Sequence, residues 1–533
     1  MTATRTNPAK RCISCRMVAL GVVAGLAGLP AVGLGSEARP GTMRSAEESG
    51  PDADRRIEIF APPPTATKSD RYRVEAAGRP VFVQSYKDVH YAHFAFGGHA
   101  RVCVAIDEPV REVRFSPQSL EIDHHVRGNS LEFVLSRPSK LVIRLNGRQR
   151  LFLFADSLEK SPFDPGQPGV VDVRDFDADN TGTSLVTEPI RRAVAATPRG
   201  GVLYFPRGVY RTATVRLRSE MTLYLAPGAL LLGSADAADY PDRDVDVHRT
   251  LGPPNVRLLL VEGVENVRVA GYGTIDGQGR RLRGAGSSGQ VIVVKNSRNV
   301  LVENLFLRDP ASYNTRILFS EHVTFRNTKV INDQEVPNTD GIDPEGSRHV
   351  LIEENFAYCG DDNVAVKIYH YDVVQDVHDV VVRGNVFLTR KSALKIGTET
   401  KQRSIRDVTF ADNDVIECDR AMAIYVADGA DVSRVRFLDN RIESHYPDRR
   451  QRVIEFEITR RLGAGQISDV VIQDTRVNEP FPRASTMRGL DDAHPIRGVR
   501  IVNYRVGGKV ARNLEEAHLE LLEHVEDVEL RVE

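Results

Sequence analysis

The 533-residue sequence has no tryptophan, only five cysteines and no excess of charge of either sign. Its 71 basic and 73 acidic residues give a formal net charge of −2, which argues against nucleic acid or an anionic membrane surface as a partner. Because tryptophan is absent, any large aromatic side chain that stacks against a ligand must be one of the 15 tyrosines or 20 phenylalanines. The 41% of hydrophobic residues and ordinary glycine and proline content exclude a disordered or collagen-like chain.

The N-terminus holds the one long apolar run. Residues 17–34 follow a basic segment and precede small residues, a pattern typical of a secretory signal peptide, which we assign to residues 1–36. An uncleaved membrane anchor is the alternative, although glycines and a proline within the run disfavour it. We expect a secreted or periplasmic protein with no membrane partner after cleavage, and a linker over residues 37–68.

Short β-patterned segments separated by turn residues recur between residues 72 and 156. Seven or eight short strands at this spacing predict a small β-sandwich domain over residues 69–160. Substrate binding and structural packing against the next domain are both open as its role.

A repeated apolar-alternating unit fills the rest of the chain, with starts 23 to 35 residues apart. This variable period is typical of stacked β-coils whose loops differ in length, and it predicts an all-β fold, a right-handed parallel β-helix over residues 166–533. A short helix is expected at residues 514–522. The units begin at Asn266, Asn299, His322, His349, Asp379, Asp407, Arg434, Asp469 and Gly498.

Most units carry an asparagine five or six positions after their start. Asparagine tolerates the left-handed conformation of a tight turn, and its side chain can bond to the asparagine of the next coil. The set comprises Asn304, Asn327, Asn355, Asn385, Asn413, Asn440 and Asn503.

Two aspartate motifs lie one coil apart. Asp340, in the Asn-Thr-Asp-Gly sequence at 338–341, is followed 21 and 22 residues later by Asp361 and Asp362, so three carboxyls should meet on one face. Crowded like charges raise the pKa of one carboxyl, which can then act as a general acid beside a general base. A spacing of roughly 5–7 Å leaves retaining and inverting glycoside hydrolysis both open. A Ca²⁺ site is another interpretation of clustered carboxylates.

Side-chain alternation predicts which neighbours face this cluster. Val364, Val366 and Ile368 suit the interior of the helix. Lys367 would then face the groove, with Lys395 beside it on the next coil. The other candidate substrate contacts are Asn338, Tyr313, Tyr369, Arg390, Glu399 and Tyr425.

These motifs resemble those of glycoside hydrolase family 28, the polygalacturonase-like hydrolases, and of the related dextranases and isopullulanases. Segments at residues 175–178, 201–210, 227–229 and 271–279 are also similar to family segments. The resemblance runs from about residue 171 to the end of the sequence. It implies a parallel β-helix with a capping helix at residues 186–196.

The resemblance also implies a mechanism, namely hydrolysis without a cofactor that inverts the anomeric centre in a single displacement. Asp361 would protonate the leaving oxygen, and Asp340 and Asp362 would hold and activate the water. No metal is expected.

The sequence departs from the family pattern at two places. Residues 390–399 stand where polygalacturonases carry a Gly-His-Gly motif, and they contain no histidine. The Arg-Ile-Lys that grips a galacturonate carboxylate is replaced around Tyr425. A dextranase-like neutral glycan is therefore favoured over a pectic one, although Arg390 and Lys395 could replace the lost bases.

The main hypothesis is an exported glycoside hydrolase that cleaves a poly- or oligosaccharide. One alternative is a calcium-dependent polysaccharide lyase that uses Lys395 or Arg390 as its base. Another is a non-catalytic, carbohydrate-binding surface protein on the same fold. The sequence sets no oligomeric state.

Overall fold

The computed structural model describes residues 56–159, 163–240, 255–369, 374–447 and 450–533. The predicted signal peptide and most of the predicted linker lie outside these residues. Among the residues described, no helix is both long enough and apolar enough to cross a membrane.

The N-terminal part is a sandwich of two sheets with eleven strands, more than the seven or eight expected. The six-stranded sheet comprises Ile57–Ile59, Val83–Tyr86, Val89–Phe96, Val113–Ser116, Ser139–Leu145 and Leu151–Ser157. The five-stranded sheet comprises Arg73–Ala76, Arg79–Val81, Ala100–Ala105, His124–Arg127 and Ser130–Leu135. A short 3₁₀ turn lies at Gln118–Leu120.

The prediction of a linker to residue 68 is wrong at its end. Ile57–Ile59 pairs antiparallel with Val89–Phe96, and the Ile57 side chain is buried in the sandwich core. Burying this apolar side chain and satisfying the open edge of the neighbouring strand both favour pairing over an extended linker.

Residues from 170 onward form a parallel β-helix whose coils each contribute one strand to three long sheets. In the described residues, sheet 1 comprises Val170–Asp172, Val202–Phe205, Met221–Leu225, Glu265–Ala270, Arg298–Glu303, Glu321–Arg326, Arg348–Glu353, Val377–Arg383, Ser404–Ala411, Asp431–Leu438, Ile467–Gln473, Ile496–Val502 and Val525–Arg531. Sheet 2 comprises Thr181–Leu185, Gly208–Thr212, Ala229–Gly233, Thr274–Asp276, Phe306–Arg308, Lys329–Ile331, Phe356–Cys359, Val386–Thr389, Asp414–Cys418, Arg441–His445, Arg476–Val477, Arg505–Val506 and Lys509–Val510. Sheet 3 comprises Val215–Arg216, Asn255–Glu262, Ser288–Lys295, Thr315–Leu318, Ile342–Glu345, Val364–Ile368, Ser392–Thr400, Arg420–Asp428, Arg452–Gly463, Ser485–Arg488 and Leu519–Leu521.

The first residue of each repeat unit marks a kink in sheet 1. All nine have positive φ, between 50° and 66°, and the valine that follows each points into the core. Asparagine, aspartate and glycine adopt this conformation at little cost, which explains why they dominate the position. The repeat read from the sequence is thus a stack of identical backbone kinks.

The asparagine positions divide into two groups. Asn304, Asn327 and Asn503 are left-handed as predicted. In four other coils the left-handed residue is the one before, namely Glu354, Gly384, Asp412 and Asp439, which corrects the prediction for Asn355, Asn385, Asn413 and Asn440.

These four asparagines instead form a buried amide ladder. Asn355 Nδ2 donates to Asn385 Oδ1 (3.0 Å), Asn385 to Asn413 (2.8 Å) and Asn413 to Asn440 (2.9 Å). Each amide also donates to a backbone carbonyl of the neighbouring coil, so the buried donors are satisfied.

The two ends of the helix differ in how well they were predicted. The capping helix is confirmed at Thr187–Ala196, and it covers the core with Ile190 and Val194. The helix expected at residues 514–522 is wrong, because Leu519–Leu521 pairs with Ser485–Arg488 and extends sheet 3 by one strand. Other short helical turns lie at Val173–Phe176, Ala237–Asp239 and Gly279–Gly284.

The sandwich packs directly on sheet 2. Phe152 and Phe154 contact Phe356, with ring centroids 4.8 and 5.0 Å away. A buried ion pair crosses the same interface, with Lys329 Nζ 2.5 Å from Asp156 Oδ2 and both side chains at most 2% exposed. An apolar contact with a buried charge pair at its centre supports the packing role for the sandwich.

Candidate active site

The three predicted catalytic aspartates lie where the chain passes from a strand of sheet 2 into a strand of sheet 3. Asp340 lies two residues before Ile342, and Asp362 lies two residues before Val364. Ile342 and Val364 are paired in adjacent strands of sheet 3. The two aspartates therefore occupy equivalent positions on neighbouring coils, as their spacing predicted. Asp361 precedes Asp362 in the turn that enters the strand.

The three aspartates converge. One carboxylate oxygen from each of Asp340, Asp361 and Asp362 lies within 4.8 Å of the other two. Asp340 and Asp362 are 2% exposed, whereas Asp361 is less deeply buried. Three carboxyls at this separation in a low-dielectric site cannot all ionise near neutral pH without compensation.

Asp361 has the environment of a proton carrier. Its carboxyl accepts hydrogen bonds from two backbone amides, Asn338 N at 3.2 Å and its neighbour Asp362 N at 3.0 Å. Burial, together with the nearby Asp340 and Asp362 carboxylates, raises the pKa of Asp361 to about 7. Asp361 can therefore hold a proton in mildly acidic solution and release it when an acceptor approaches.

Asp362 has the opposite environment. Burial by itself opposes ionisation, but the Lys395 ammonium, 2.6 Å from Asp362 Oδ2, and the Arg420 guanidinium lower the pKa of Asp362 to about 2. Ser392 N donates to the other oxygen at 2.9 Å. Two adjacent residues in one turn thus have pKa values pushed apart, which is the arrangement that separates an acid from a base.

Asp340 shares a lysine with a fourth carboxylate. Lys367 Nζ lies 2.9 Å from Asp340 Oδ2 and 2.8 Å from Asp343 Oδ2, and all three side chains are almost fully buried. Burial raises the pKa of Asp343 to about 6, against the opposing effect of Lys367. Burial and the neighbouring carboxylates raise the pKa of Asp340 as well, although the same ammonium opposes the shift.

Asp343 and Arg420 are two residues of the site that were not predicted. For Asp343 the sequence held a signal, because Ile342 points into the core and alternation along Ile342–Glu345 then directs Asp343 to the same outer face as Lys367. Arg420 donates to Ser392 and lies near Asp362.

Both predicted groove lysines lie in the site, but the structure gives them a different contact. Val364, Val366, Ile368, Leu394 and Ile396 are in the core as predicted, so Lys367 and Lys395 point outward. The two ammonium groups bind the aspartates instead of standing open to a ligand. Lys395 pairs with Ala365 on the neighbouring strand, two residues before Lys367.

Aromatic rings border the cluster. Tyr313 covers Lys367, with Nζ 4.1 Å from the ring centroid, and Tyr425 lies 5.6 Å from Lys395 Nζ. Tyr369 is buried and flanks Arg316 at 5.3 Å. Tyr313 and Tyr425 thus lie beside the aspartate cluster, and the Tyr425 hydroxyl also donates a hydrogen bond to Glu455.

The remaining predicted substrate contacts differ in how close they lie to the aspartate cluster. Lys367 and Lys395 lower the pKa of Glu399 against the effect of burial, which places Glu399 beside the cluster. Arg390 instead turns to Glu335, 2.9 Å away, and to the carbonyl of Gln334. Asn338 is exposed and contributes its backbone amide to Asp361.

Two glycines allow the turns to approach each other. A Cβ on Gly341 would lie 2.4 Å from Asn363 O, and one on Gly360 would lie 2.6 Å from Val336 O. Any larger residue would separate the two aspartate turns. This explains why each aspartate motif carries a glycine next to it.

Comparison with known proteins agrees with this geometry. Residues 244–454 match the family model of glycosyl hydrolases family 28. The predicted family resemblance is confirmed, and the four aspartates of the site, Asp340, Asp343, Asp361 and Asp362, fall within the matched segment. An exo-poly-alpha-D-galacturonosidase of Dickeya chrysanthemi is 25% identical over 251 residues, which is 37% of this chain and 42% of that protein. The chain thus spans less than half of that relative's length.

Solved structures share the fold. The family 28 exopolygalacturonase of Yersinia enterocolitica has a TM-score of 0.57 at 16% identity, covering 89% of this chain and 96% of that one. Dex49A from Penicillium minioluteum has a TM-score of 0.55 at 12% identity, with coverage of 89% and 96%. At these identities the likeness establishes the parallel β-helix alone.

Proposed function

We propose that this protein is a glycoside hydrolase that cleaves a poly- or oligosaccharide by general acid and base catalysis in the cleft of sheet 3. The observation that carries the proposal is the pair Asp361 and Asp362, adjacent in sequence, with pKa values of about 7 and about 2. The match of residues 244–454 to family 28 supports the same reaction class.

In the proposed reaction, the protonated Asp361 carboxyl donates its proton to the glycosidic oxygen as the bond to the anomeric carbon breaks. Asp340 and Asp362 orient a water molecule, and the ionised Asp362 carboxylate accepts its proton as the water attacks the same carbon. Asp340 Oδ1 is buried and has no hydrogen-bond partner within the described part of the chain, so it is suited to accept from that water. A single displacement would invert the anomeric centre.

The short distances between the carboxylate oxygens of the three aspartates support acid and base catalysis, but they do not decide between inversion and retention. Oxygens within 4.8 Å are closer than the roughly 6.5–9.5 Å between carboxyls that is usual for inverting glycosidases. Inversion is therefore proposed from the family resemblance, and the product anomer must test it.

We further propose that the substrate is a neutral glycan. The catalytic cluster holds five carboxyls, and the cations that act on them are Lys367, Lys395 and Arg420, so a uronate would bring another negative charge to an acidic site. The carboxyls are those of Asp340, Asp343, Asp361, Asp362 and Glu399. Nearby cations already have acidic partners. These pairs are Arg316 with Glu345, Arg420 with Asp419, Arg450 with Glu455 and Arg461 with Asp428.

The lyase alternative requires calcium where ammonium groups now lie. Lys367 and Lys395 are within 2.9 Å of oxygens of Asp340 and Asp362, and a Ca²⁺ ion at those oxygens would have to displace them. The two bases expected for a lyase are also engaged, Lys395 with Asp362 at 2.6 Å and Arg390 with Glu335 at 2.9 Å.

The test is a reducing-end assay of the mature protein with chelator present. Dextran, pullulan, arabinan, polygalacturonate and rhamnogalacturonan serve as substrates, and Asp361→Asn is the matched variant. We expect release from a neutral polymer, falling by about 10²–10⁴-fold in Asp361→Asn. Release from polygalacturonate alone would refute the neutral preference but keep the hydrolase. Activity that requires calcium, or binding without release, would refute the hydrolase.

Export is proposed from the N-terminal sequence, which the described residues do not include. The basic segment followed by the apolar run of residues 17–34 supports cleavage near residue 36. N-terminal sequencing of protein recovered outside the cytoplasm would test this. An intact N-terminus in a membrane fraction would indicate the anchor instead.

A further inference from the structure

A cluster of two histidines and an aspartate lies on sheet 1, apart from the aspartates of sheet 3. One possible ligand atom from each of His349, His378 and Asp379 lies within 4.8 Å of the others. His378 Nδ1 is 2.7 Å from Asp379 Oδ2, and His349 Nδ1 is 3.4 Å from the same oxygen. Two imidazole nitrogens thus converge on one carboxylate oxygen.

The backbone fixes this convergence. His349 and Asp379 are the left-handed first residues of successive repeat units, with φ of 53° and 55°, and His378 is paired with Arg348 in the adjoining strand. The three side chains therefore leave neighbouring strands about 4.8 Å apart in a set direction. Residues on rigid strands hold metal ligands in position more precisely than residues on a loop would.

We propose that His349, His378 and Asp379 form a binding site for a divalent transition-metal ion, with Zn²⁺ as the probe. Two imidazoles and one carboxylate suit zinc and related ions, whereas Ca²⁺ and Mg²⁺ prefer all-oxygen ligands. With both histidines neutral the cluster carries one negative charge, so a dication is favoured. The ion would replace the two contacts that Asp379 Oδ2 makes with the imidazoles.

Solvent can reach the site. The side chains of His349 and Asp379 are 40% and 49% exposed, and that of His378 is 19% exposed. An ion could enter without unfolding and could keep water in its remaining position. The His322 ring lies against His349, with centroids 4.7 Å apart and planes within 7°, which restrains the orientation of that ligand.

The position of the site suggests what the ion would do. His349 begins the coil that carries Asp361, Asp362 and Lys367, and His378 and Asp379 begin the next one. A metal at this place would join the two ends of the catalytic coil on sheet 1. It would act on the stability of that coil and not on the reacting atoms.

The test is calorimetric titration of ZnCl₂ into the full chain, without an affinity tag and after treatment with chelator. Changing partners outside the ligand set commonly costs ~10–100-fold in affinity, so losing a ligand should cost at least about tenfold. We expect that loss in both His349→Ala and His378→Ala, and we expect zinc to raise the thermal midpoint of the parent protein but not of these two variants. Asp379→Asn is a further variant that keeps the left-handed backbone but loses the charge.

His524→Ala is the matched control, because His524 also pairs with an aspartate, Asp492, at 3.0 Å. Within the part of the chain that the structure describes, His524 belongs to no group of three possible metal ligands. We expect its titration to equal that of the parent. Zinc binding at other residues would contribute equally to every variant. The proposal is overturned if His349→Ala, His378→Ala and Asp379→Asn all titrate like the parent, or if CaCl₂ binds the cluster as tightly as ZnCl₂.

Discussion

Replacing Lys395 by methionine tests how the site separates its acid from its base. Methionine is similar in length and apolar, so the substitution removes the ammonium that lies 2.6 Å from Asp362 Oδ2. The hydrogen bond from Ser392 N and the nearby Arg420 remain. Asp362 must be ionised to accept a proton, so activity is present above its pKa and is lost as the pH falls through it.

The size of the effect follows from the local geometry. An opposite charge within hydrogen-bond distance lowers a carboxyl pKa by about 1–3 units, so its removal should raise the acidic midpoint of kcat/KM from about 2 to roughly 3–5. Lys395 also opposes the raised pKa of Asp361, so the alkaline midpoint near 7 should move upward by a smaller amount. The whole active pH range is expected to move toward higher pH.

The assay is kcat/KM against pH on the polymer identified by the reducing-end screen, with circular dichroism at each pH to exclude unfolding. Lys509→Met, on an exposed terminal strand, is the matched control and should keep the parent profile. An acidic midpoint that stays in place in Lys395→Met, in protein that remains folded, would refute the role given to Lys395. A profile displaced equally in both variants would do the same.

Three further changes test other parts of the account. Lys367→Met leaves Asp340 and Asp343 buried without their cation and should lower the free energy of unfolding by about 3–5 kcal/mol in urea titrations; a loss below about 1 kcal/mol would contradict the ion pairs. Asn413→Ala removes the acceptor of the buried Asn385 backbone N–H and side-chain amide, together with the side-chain donor to Asn440. It should cost about 1–3 kcal/mol, whereas unchanged unfolding would show that the ladder is not stabilising. At the sandwich interface Asp156 contacts Lys329 and His93, which hold the pKa of Asp156 well below its usual range despite burial. The ionised Asp156 should therefore contribute to the free energy of unfolding above about pH 4, and this contribution should be lost as the pH falls. Asp156→Asn should flatten that acid-side loss in thermal unfolding scans, and an unchanged slope would contradict the assignment.

Much of this architecture could be predicted because a β-helix repeats one rule. The first residue of each unit is left-handed and the valine after it is buried, so residue type alone marks the register. The same regularity placed Asp340 and Asp362 at equivalent positions on adjacent coils. Asp343 was within reach of the alternation rule along its strand.

Other features depend on contacts between distant segments. Which member of each turn is left-handed, Asn355 or Glu354, depends on whether the amide is better used in the buried ladder. Alternation along the strands predicts that the two lysines point outward. It does not predict that they bind Asp340, Asp343 and Asp362, because that depends on how far each side chain reaches across to the neighbouring coil. The pairing of Ile57 into the sandwich likewise depended on an open strand edge far along the chain.

The most direct test of the central claim is proton NMR of a neutral polymer during its first turnovers by the parent protein and by Asp361→Asn, with chelator present. The account predicts new reducing ends of inverted anomeric configuration, formed by the parent and nearly absent with the variant. Reducing ends of retained configuration would contradict the single displacement. Unsaturated products, or equal turnover by Asp361→Asn, would contradict hydrolysis by this aspartate cluster.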